Sequence, residues 1–275
     1  MALDDRVDVV VVGFGMAGAA AALAAAGSGA SVLVLDQSPL SWGGAGFTRA
    51  ARHRALLRAG LRAAAREAGA KVVAQCRAHE LMTVGGRVCG VGYAELPRRG
   101  AAAAGDRWLR RLGRLLPARP AAVVDRVGEA VWDSGFRVGE VEASAVILAM
   151  DSRHWEFVGP AAWTAAREHR AQPGSARPRW PERLPDGPTP ELAVREWCAS
   201  REAGEPVAYQ AELRVDEGTG AVLVGGAGPV PGLYAAPGRA HAGGVRRSMM
   251  AGLRAGDAVV SALAESRQGR LRAVV

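Results

Sequence analysis

The sequence predicts an α/β fold built on a parallel sheet, and three observations predict it. A run rich in valine, Val7 to Val12, passes directly into a glycine cluster and then an alanine-rich stretch. A second apolar run, Ser31 to Leu35, closes on Asp36. A third, Ala143 to Met150, reads Ala-Ser-Ala-Val-Ile-Leu-Ala-Met. Strands that are apolar on both faces and alternate with helical patterns belong to buried parallel sheets.

The elements follow in chain order. Residues 7–12 form the first strand, and an alanine helix runs from the glycine cluster to about Ala26, where Gly27 and Gly29 end it. After the second strand comes a polar loop, Gln37 to Gly44. Residues 50–68 predict an amphipathic helix with Leu56, Leu57, Leu61 and Ala64 or Ala65 on one side. Lys71 to Cys76 reads as a strand, and Leu81–Val84 and Arg87–Tyr93 as a hairpin turning through Gly85-Gly86. Residues 97–119 break the pattern, with Trp108, Leu109, Leu112, Leu115 and Leu116 on one helical stripe. Val123-Val124 and Val131-Trp132 predict short strands. Residues 211–224 predict two strands around Asp216-Glu217-Gly218, Gly232 to Ala236 a last strand, and Arg246 to about Glu265 a closing helix.

Between Gly159 and Pro190 prolines cluster, and Trp155, Trp163, Trp180 and Trp197 lie in or near that stretch. That composition marks an irregular insertion. The expected organisation is one discontinuous domain, residues 1–150 and 205–275, carrying a small cap at 151–204.

Composition bounds the function. The chain has 275 residues, 49% of them hydrophobic and 23% charged, which suits a globular protein with a sizeable core. Lys71 is the only lysine among 35 basic residues, and alanine fills about a fifth of the chain. An Ala/Arg bias of this kind resembles that of a GC-rich genome, so the net charge of +8 reads first as a solvated arginine surface. The arginines are scattered and no aromatic platform accompanies them, which argues against nucleic acid. Cys76, Cys89 and Cys198 form no C-x-x-C pair, which fits a reducing cytoplasm and argues against a disulfide framework or structural zinc. The uncharged run from Val9 to Leu35 is long enough for a membrane span. Glycines interrupt it, however, and acids precede it, so strand–helix–strand is the better reading. The 107–116 stripe can dock on its own sheet, on a second copy as a homodimer, or on a membrane surface, with packing on its own domain the default.

The chemistry lies in Gly13-x-Gly15-x-x-Gly18. The motif follows a strand, opens a helix, and is answered by Asp36 at the end of the next strand. Gly13 permits the tight turn, Gly15 lets a pyrophosphate approach, and Gly18 lets helix and strand pack closely. The helix N-terminus offers N–H donors and the positive end of its dipole. Asp36 can accept from ribose hydroxyls, and its charge disfavours a 2′-phosphate. This is the register of a Rossmann-like dinucleotide fold. No P-loop lysine, G-x-S-x-G elbow or zinc spacing is present.

Residues 7–44 resemble the start of the FAD-binding flavoproteins related to fumarate reductase, succinate dehydrogenase and the ketosteroid dehydrogenases. There an acidic residue is followed by a polar loop and a Gly-Gly pair, as Asp36 is here by Gly43-Gly44. The stretch from Ala68 to Leu81 and then Gly85 to Val91 is also similar. Ala145 to Met150 resembles that family's "VVLATGG" strand, with Asp151-Ser152 in place of the glycines. Pro231 to Ala236 resembles "PGLYAAGE", with Pro237-Gly238 where the acid is expected, and Gly243-Gly244 through Gly256 resembles the helix that follows. The family's "HGxNR" region is not reproduced, and its cap is far longer than 151–204.

The resemblance implies FAD as cofactor, held in an α/β Rossmann-like domain with a parallel sheet, a β-hairpin or meander insertion and a reduced cap. The implied contacts are Gly13, Gly15, Met16, Ala17 and Gly18 in the turn, and Asp36 and Gln37 after the second strand. Gly43 and Gly44, the backbone near Ala78 at the adenine, Ala149 and Met150, and Gly238, Ser248 and Met249 complete the set. His241 is a candidate general acid or base or an exposed loop histidine. Arg246 and Arg247 can anchor a carboxylate or enolate beside the flavin, Arg246 can instead meet the diphosphate, or both can serve as surface charge. Arg153 and His154 can line a cleft, and the four tryptophans can wall an apolar pocket or form a subdomain core. The expected activity is FAD-dependent oxidation or reduction of a small organic substrate, with secondary metabolism as one setting. A flavin-retaining isomerase or cyclase, and a flavin-free binding or scaffold protein, are the alternatives.

Overall fold

The first strand, β1 (Arg6–Val12), lies inside the sheet and pairs in parallel with β2 (Val32–Asp36) on one side and β6 (Arg137–Leu148) on the other. The computed structural model describes residues 6–37, 49–97, 100–113, 116, 118–150, 214–224, 228–236 and 244–272. Within them β3 (Lys71–Ala74) extends the parallel sheet beyond β2, and β9 (Gly228–Ala235) extends it beyond β6. Two further strands, β7 (Arg214–Val215) and β8 (Ala221–Val224), continue it antiparallel, giving the order β3-β2-β1-β6-β9-β8-β7. Valine and leucine occupy both faces of β1 and β2, as a strand buried on both sides requires.

Each face is covered differently. On one, Val9, Val11, Val32 and Val34 pack against α1 (Met16–Gly27), α2 (Arg49–Glu67) and α5 (Gly244–Arg272). On the other, Val10, Val12, Leu33 and Leu35 meet Leu81, Val88, Val91 and Tyr93 from the meander of β4 (Cys76–Val84) and β5 (Arg87–Glu95). Strand β6 belongs to both layers. Its first half runs antiparallel to β5, and from Glu142 onward it runs parallel to β1. Gly85 and Gly86 take φ of 56° and 74° between Val84 and Arg87, the backbone a two-residue hairpin needs.

Helices α1 and α5 approach closely because small residues meet. A Cβ on Gly252 would collide with the Ala17 carbonyl, and one on Gly256 would lie 2.8 Å from the Ala21 oxygen. The contacts advance together along both helices, so the two run parallel with their N-termini at the same end.

Several expectations are corrected. Val123, Val124, Val131 and Trp132 lie in a helix, α4 (Ala118–Gly135), which pairs with α3 (Ala101–Gly113) as a hairpin between β5 and β6. Of these four residues only Trp132 is buried, and it closes a third core with Phe136, Ala94, Leu96 and Ala103, whereas Val123 stays exposed. That anchor, packed with α3, overrides the strand propensity of the valine pairs. The stripe through Trp108 also fails. Leu109 is buried, whereas Trp108 is 62% exposed, because adjacent residues sit about 100° apart on a helix. On α2, Leu56 and Leu57 are exposed, and among its described side chains the buried ones are Arg62 and Ala65. The proposed cap, with Arg153, His154 and the four tryptophans, falls outside the described residues.

Candidate functional site

The β1–α1 turn is built around close backbone approach. Gly13 takes φ +97°, and a Cβ there would stand 2.8 Å from the Ala149 carbonyl oxygen and 3.2 Å from Met150 Cγ. A Cβ on Gly18 would overlap the Gly13 carbonyl. Gly15 differs, since nothing lies within 4 Å of its Cβ position. Gly13 N–H donates to Leu35 O at 2.7 Å and Ala149 N–H to Val12 O at 2.8 Å, so the ends of β2, β1 and β6 are tied together beside the turn. Gly15 is the N-cap of α1, no side chain caps its first donors, and its first turn holds no acid. An uncapped helix N-terminus with open space at its glycine is a cradle suited to a diphosphate. Met16 is half-buried and Ala17 is buried against α5.

Asp36 closes β2 beside the turn and is buried. Its Oδ1 accepts the Phe14 N–H at 3.4 Å, and its Oδ2 meets Arg62 Nη2 at 3.2 Å. Arg62 Nε also donates to the Phe14 carbonyl at 2.5 Å. The buried Phe14 ring lies under two guanidinium groups, with Arg62 Cζ 5.0 Å and Arg66 Cζ 5.1 Å from its centroid. Burial draws the Arg62 pKa down, Asp36 opposes this, and Arg58 and Arg66 add to the lowering. Sequence reasoning missed Arg62. Its signal was the Arg58, Arg62, Arg66 spacing of four on the helix face that also carries Ala65.

At the end of β3 the chain turns sharply. Gln75, with φ 53°, is the only non-glycine at positive φ among the described residues. Its Nε2 donates to Ala103 O at 3.1 Å and to Asp106 Oδ2 at 2.7 Å, and its Oε1 accepts from Arg107 at 3.0 Å. These bonds fasten the α3–α4 hairpin to the corner that leads into Ala78, which is partly buried against the core under the meander. Cys76, buried beside this corner, has its thiol pKa pushed well up by burial and by the Glu95 and Asp36 carboxylates, so it stays protonated.

The remaining candidates sort by place. Gln37 follows Asp36 and is half-buried. Ser248 and Met249 lie in the first turns of α5, Ser248 buried and Met249 half-buried, whereas Arg246 and Arg247 are exposed. Gly252 sits level with Ala17, so Ser248 stands one turn earlier, about 6 Å before the level of Ala17 and so just beyond the start of α1. The structure thus brings Gly13, Gly15, Gly18, Asp36, Ala149, Met150 and Ser248 to one end of the sheet. That end is the carboxyl edge of the parallel strands, where α/β folds bind ligands. Gly43, Gly44, Gly238 and His241 lie outside the described residues.

A protein family described as the FAD binding domain matches residues 8–216, more than half of the chain. The chain therefore belongs to that FAD-binding family, and its cofactor is FAD. The fold is likewise an α/β Rossmann-like domain with a mainly parallel sheet. A search of curated proteins finds no match. Among solved structures, the chain is similar to 3-ketosteroid-delta4-(5alpha)-dehydrogenase from Rhodococcus jostii RHA1, at 13% identity and TM-score 0.49, over 94% of this chain and 98% of that one. It is similar to a thioredoxin reductase from Gloeobacter violaceus at 17% identity and TM-score 0.43, over 96% and 97%. Against the myxobacterial chondrochloren halogenase CndH the identity is 15% and the TM-score 0.34, over 55% of this chain and 38% of that one. No helix among the described residues is long and apolar enough to cross a membrane.

Proposed function

We propose that the chain is an FAD-dependent oxidoreductase acting on a small organic substrate, in a reducing cytoplasmic setting. The observation that carries this reading is the glycine turn. Its first-turn donors are uncapped, Gly15 leaves room for a diphosphate, and the surrounding glycines are held by contacts that admit no Cβ. When bound, FAD supplies hydride transfer at its isoalloxazine ring.

The chain's own residues do the rest. Gly15, Met16 and Ala17 direct N–H groups at the diphosphate, and Asp36, beside them, accepts from the adenosine ribose. The backbone near Ala78 meets adenine, and Ala149 and Met150 flank the glycine turn. The N-terminus of α5 begins at Gly244, and its opening turns carry Ser248 and Met249. The positive end of that helix dipole would face the flavin pyrimidine edge, where reduction places negative charge. Arg246 and Arg247 strengthen that positive field from the exposed side of the same turn. His241, in the stretch that joins β9 to α5, is the candidate for the accompanying proton. Gly43, Gly44 and Gly238 complete the cofactor contacts, and residues 151–204 shape substrate choice.

The test is optical. Purified protein should carry a flavin spectrum, or gain one on reconstitution with FAD, and the colour should bleach anaerobically when a true substrate is added. A colourless protein that takes up no FAD overturns the reading.

A further inference from the structure

We propose that Arg62 is a positioning residue of the dinucleotide site, fixing the peptide between Phe14 and Gly15 so that the Gly15 N–H faces the diphosphate. The inference rests on the reading that the glycine turn carries that diphosphate.

The geometry is a closed ring of three elements. Asp36, at the end of β2, takes the Phe14 N–H through Oδ1. Arg62, from the middle of α2, gives its Nε hydrogen to the Phe14 carbonyl and its Nη2 hydrogen to Asp36 Oδ2. Both main-chain polar groups of Phe14 are therefore engaged by side chains from outside the turn. No peptide among the described residues is cis, so the Phe14 carbonyl and the Gly15 N–H of one planar unit point in opposite directions. A carbonyl held toward Arg62 turns the Gly15 N–H away from α2.

Such a peptide needs holding. Glycine tolerates both signs of φ, so rotation of the Phe14–Gly15 unit meets little steric resistance at Gly15, where nothing lies within 4 Å of the Cβ position. A freely rotating unit would have to be ordered each time a ligand bound, which weakens binding. Arg62 removes that freedom beforehand. Its planar fork is suited to the task, since one guanidinium reaches a carbonyl and a carboxylate in fixed directions, whereas an ammonium is a single point.

The experiment compares wild type, Arg62→Lys and Arg62→Gln as full-length apoprotein. Dissociation constants for FAD and ADP are measured by titration, melting temperature is recorded separately, and the Gly15 amide resonance is followed in labelled protein. Arg62→Lys keeps a cation beside Asp36 and should melt close to wild type. It should nonetheless bind both FAD and ADP at least about tenfold more weakly, since a charge-assisted hydrogen bond is lost, and its Gly15 amide should be shifted before ligand is added. Arg62→Gln should be weaker still. Wild-type affinity for both ligands in Arg62→Lys, or an unmoved Gly15 amide, overturns the positioning role. Wild-type apoprotein that takes up neither FAD nor ADP overturns the FAD reading itself, and the role with it.

Discussion

Asp36 and Arg62 form an ion pair at 3.2 Å with side chains only 7% and 8% exposed. A ribose-binding carboxylate at a sheet edge would be replaceable at little cost to folding, but this one has a buried cation to neutralise. Removing one partner of a buried pair leaves the other charged and desolvated, a penalty of about 3 kcal/mol. Asp36→Ala should therefore lower the unfolding free energy of the apoprotein by roughly that amount, as well as weaken FAD binding. Urea denaturation of the two proteins without cofactor measures the first effect alone. An unchanged midpoint would mean that Arg62 finds enough water to do without Asp36.

The glycines of the turn should separate into two kinds. Gly15→Ala adds a methyl in open space at φ −70°, which any residue adopts, so the variant should keep its melting temperature while losing flavin. Gly18→Ala drives a methyl into the Gly13 carbonyl and should cost about 1–3 kcal/mol of stability from overpacking. Thermal unfolding and flavin content, measured together, should show the two variants failing in opposite readouts.

A third prediction concerns how α5 is held. Gly252 and Gly256 let α5 lie on Ala17, Ala21 and Ala24 of α1. Gly252→Ala pushes α5 off the start of α1 and with it moves Ser248, one turn away. The expected result is a stability loss of about 1–3 kcal/mol, together with weaker flavin retention. Retention of both at wild-type level would show that the helix pair relaxes without moving the turn.

What was legible in the sequence was what repeats with a fixed period or needs glycine. The Val7–Val12 strand, the glycine turn, the Gly85-Gly86 hairpin and the last strand all appear where the residues place them. Helix α4 was hidden because Val123-Val124 and Val131-Trp132 carry strand propensity, and only their spacing of eight, with Val127 between, is helical. Tertiary burial decides such cases, and Trp132 is fully buried. On α2 the apolar Leu56-Leu57 pair drew attention from the face that matters. A buried arginine cannot be read from hydrophobic periodicity, because its burial is made affordable by a carboxylate 26 residues earlier in the chain. In the site, the turn was visible from its glycines, whereas its support by Arg62 depends on how α2 folds back over β2.

The last prediction concerns pH and the far end of the sheet. Asp8, in β1, accepts the Ser31 N–H at 2.9 Å, the Ser31 hydroxyl at 2.8 Å and Arg267 Nη2 of α5 at 2.9 Å. Burial pushes its pKa up, but the Ser31 and Arg267 hydrogen bonds outweigh it, and the net shift is below the ordinary 3.8. A carboxyl whose pKa is lower folded than unfolded binds fewer protons in the native state. Its stabilisation is therefore fully present above about pH 4 and is lost as pH falls through the folded value. The Asp8 side chain is 25% and Arg267 61% exposed, so solvent screening holds the contribution to roughly 1 kcal/mol. Asp8→Asn keeps the shape and removes the titration. Urea midpoints taken from pH 6 down to pH 3 should fall less steeply in this variant than in wild type, with the two curves converging at the acid end. Parallel curves across the range would show that the pairing of Asp8 with Ser31 and Arg267 carries no net stability.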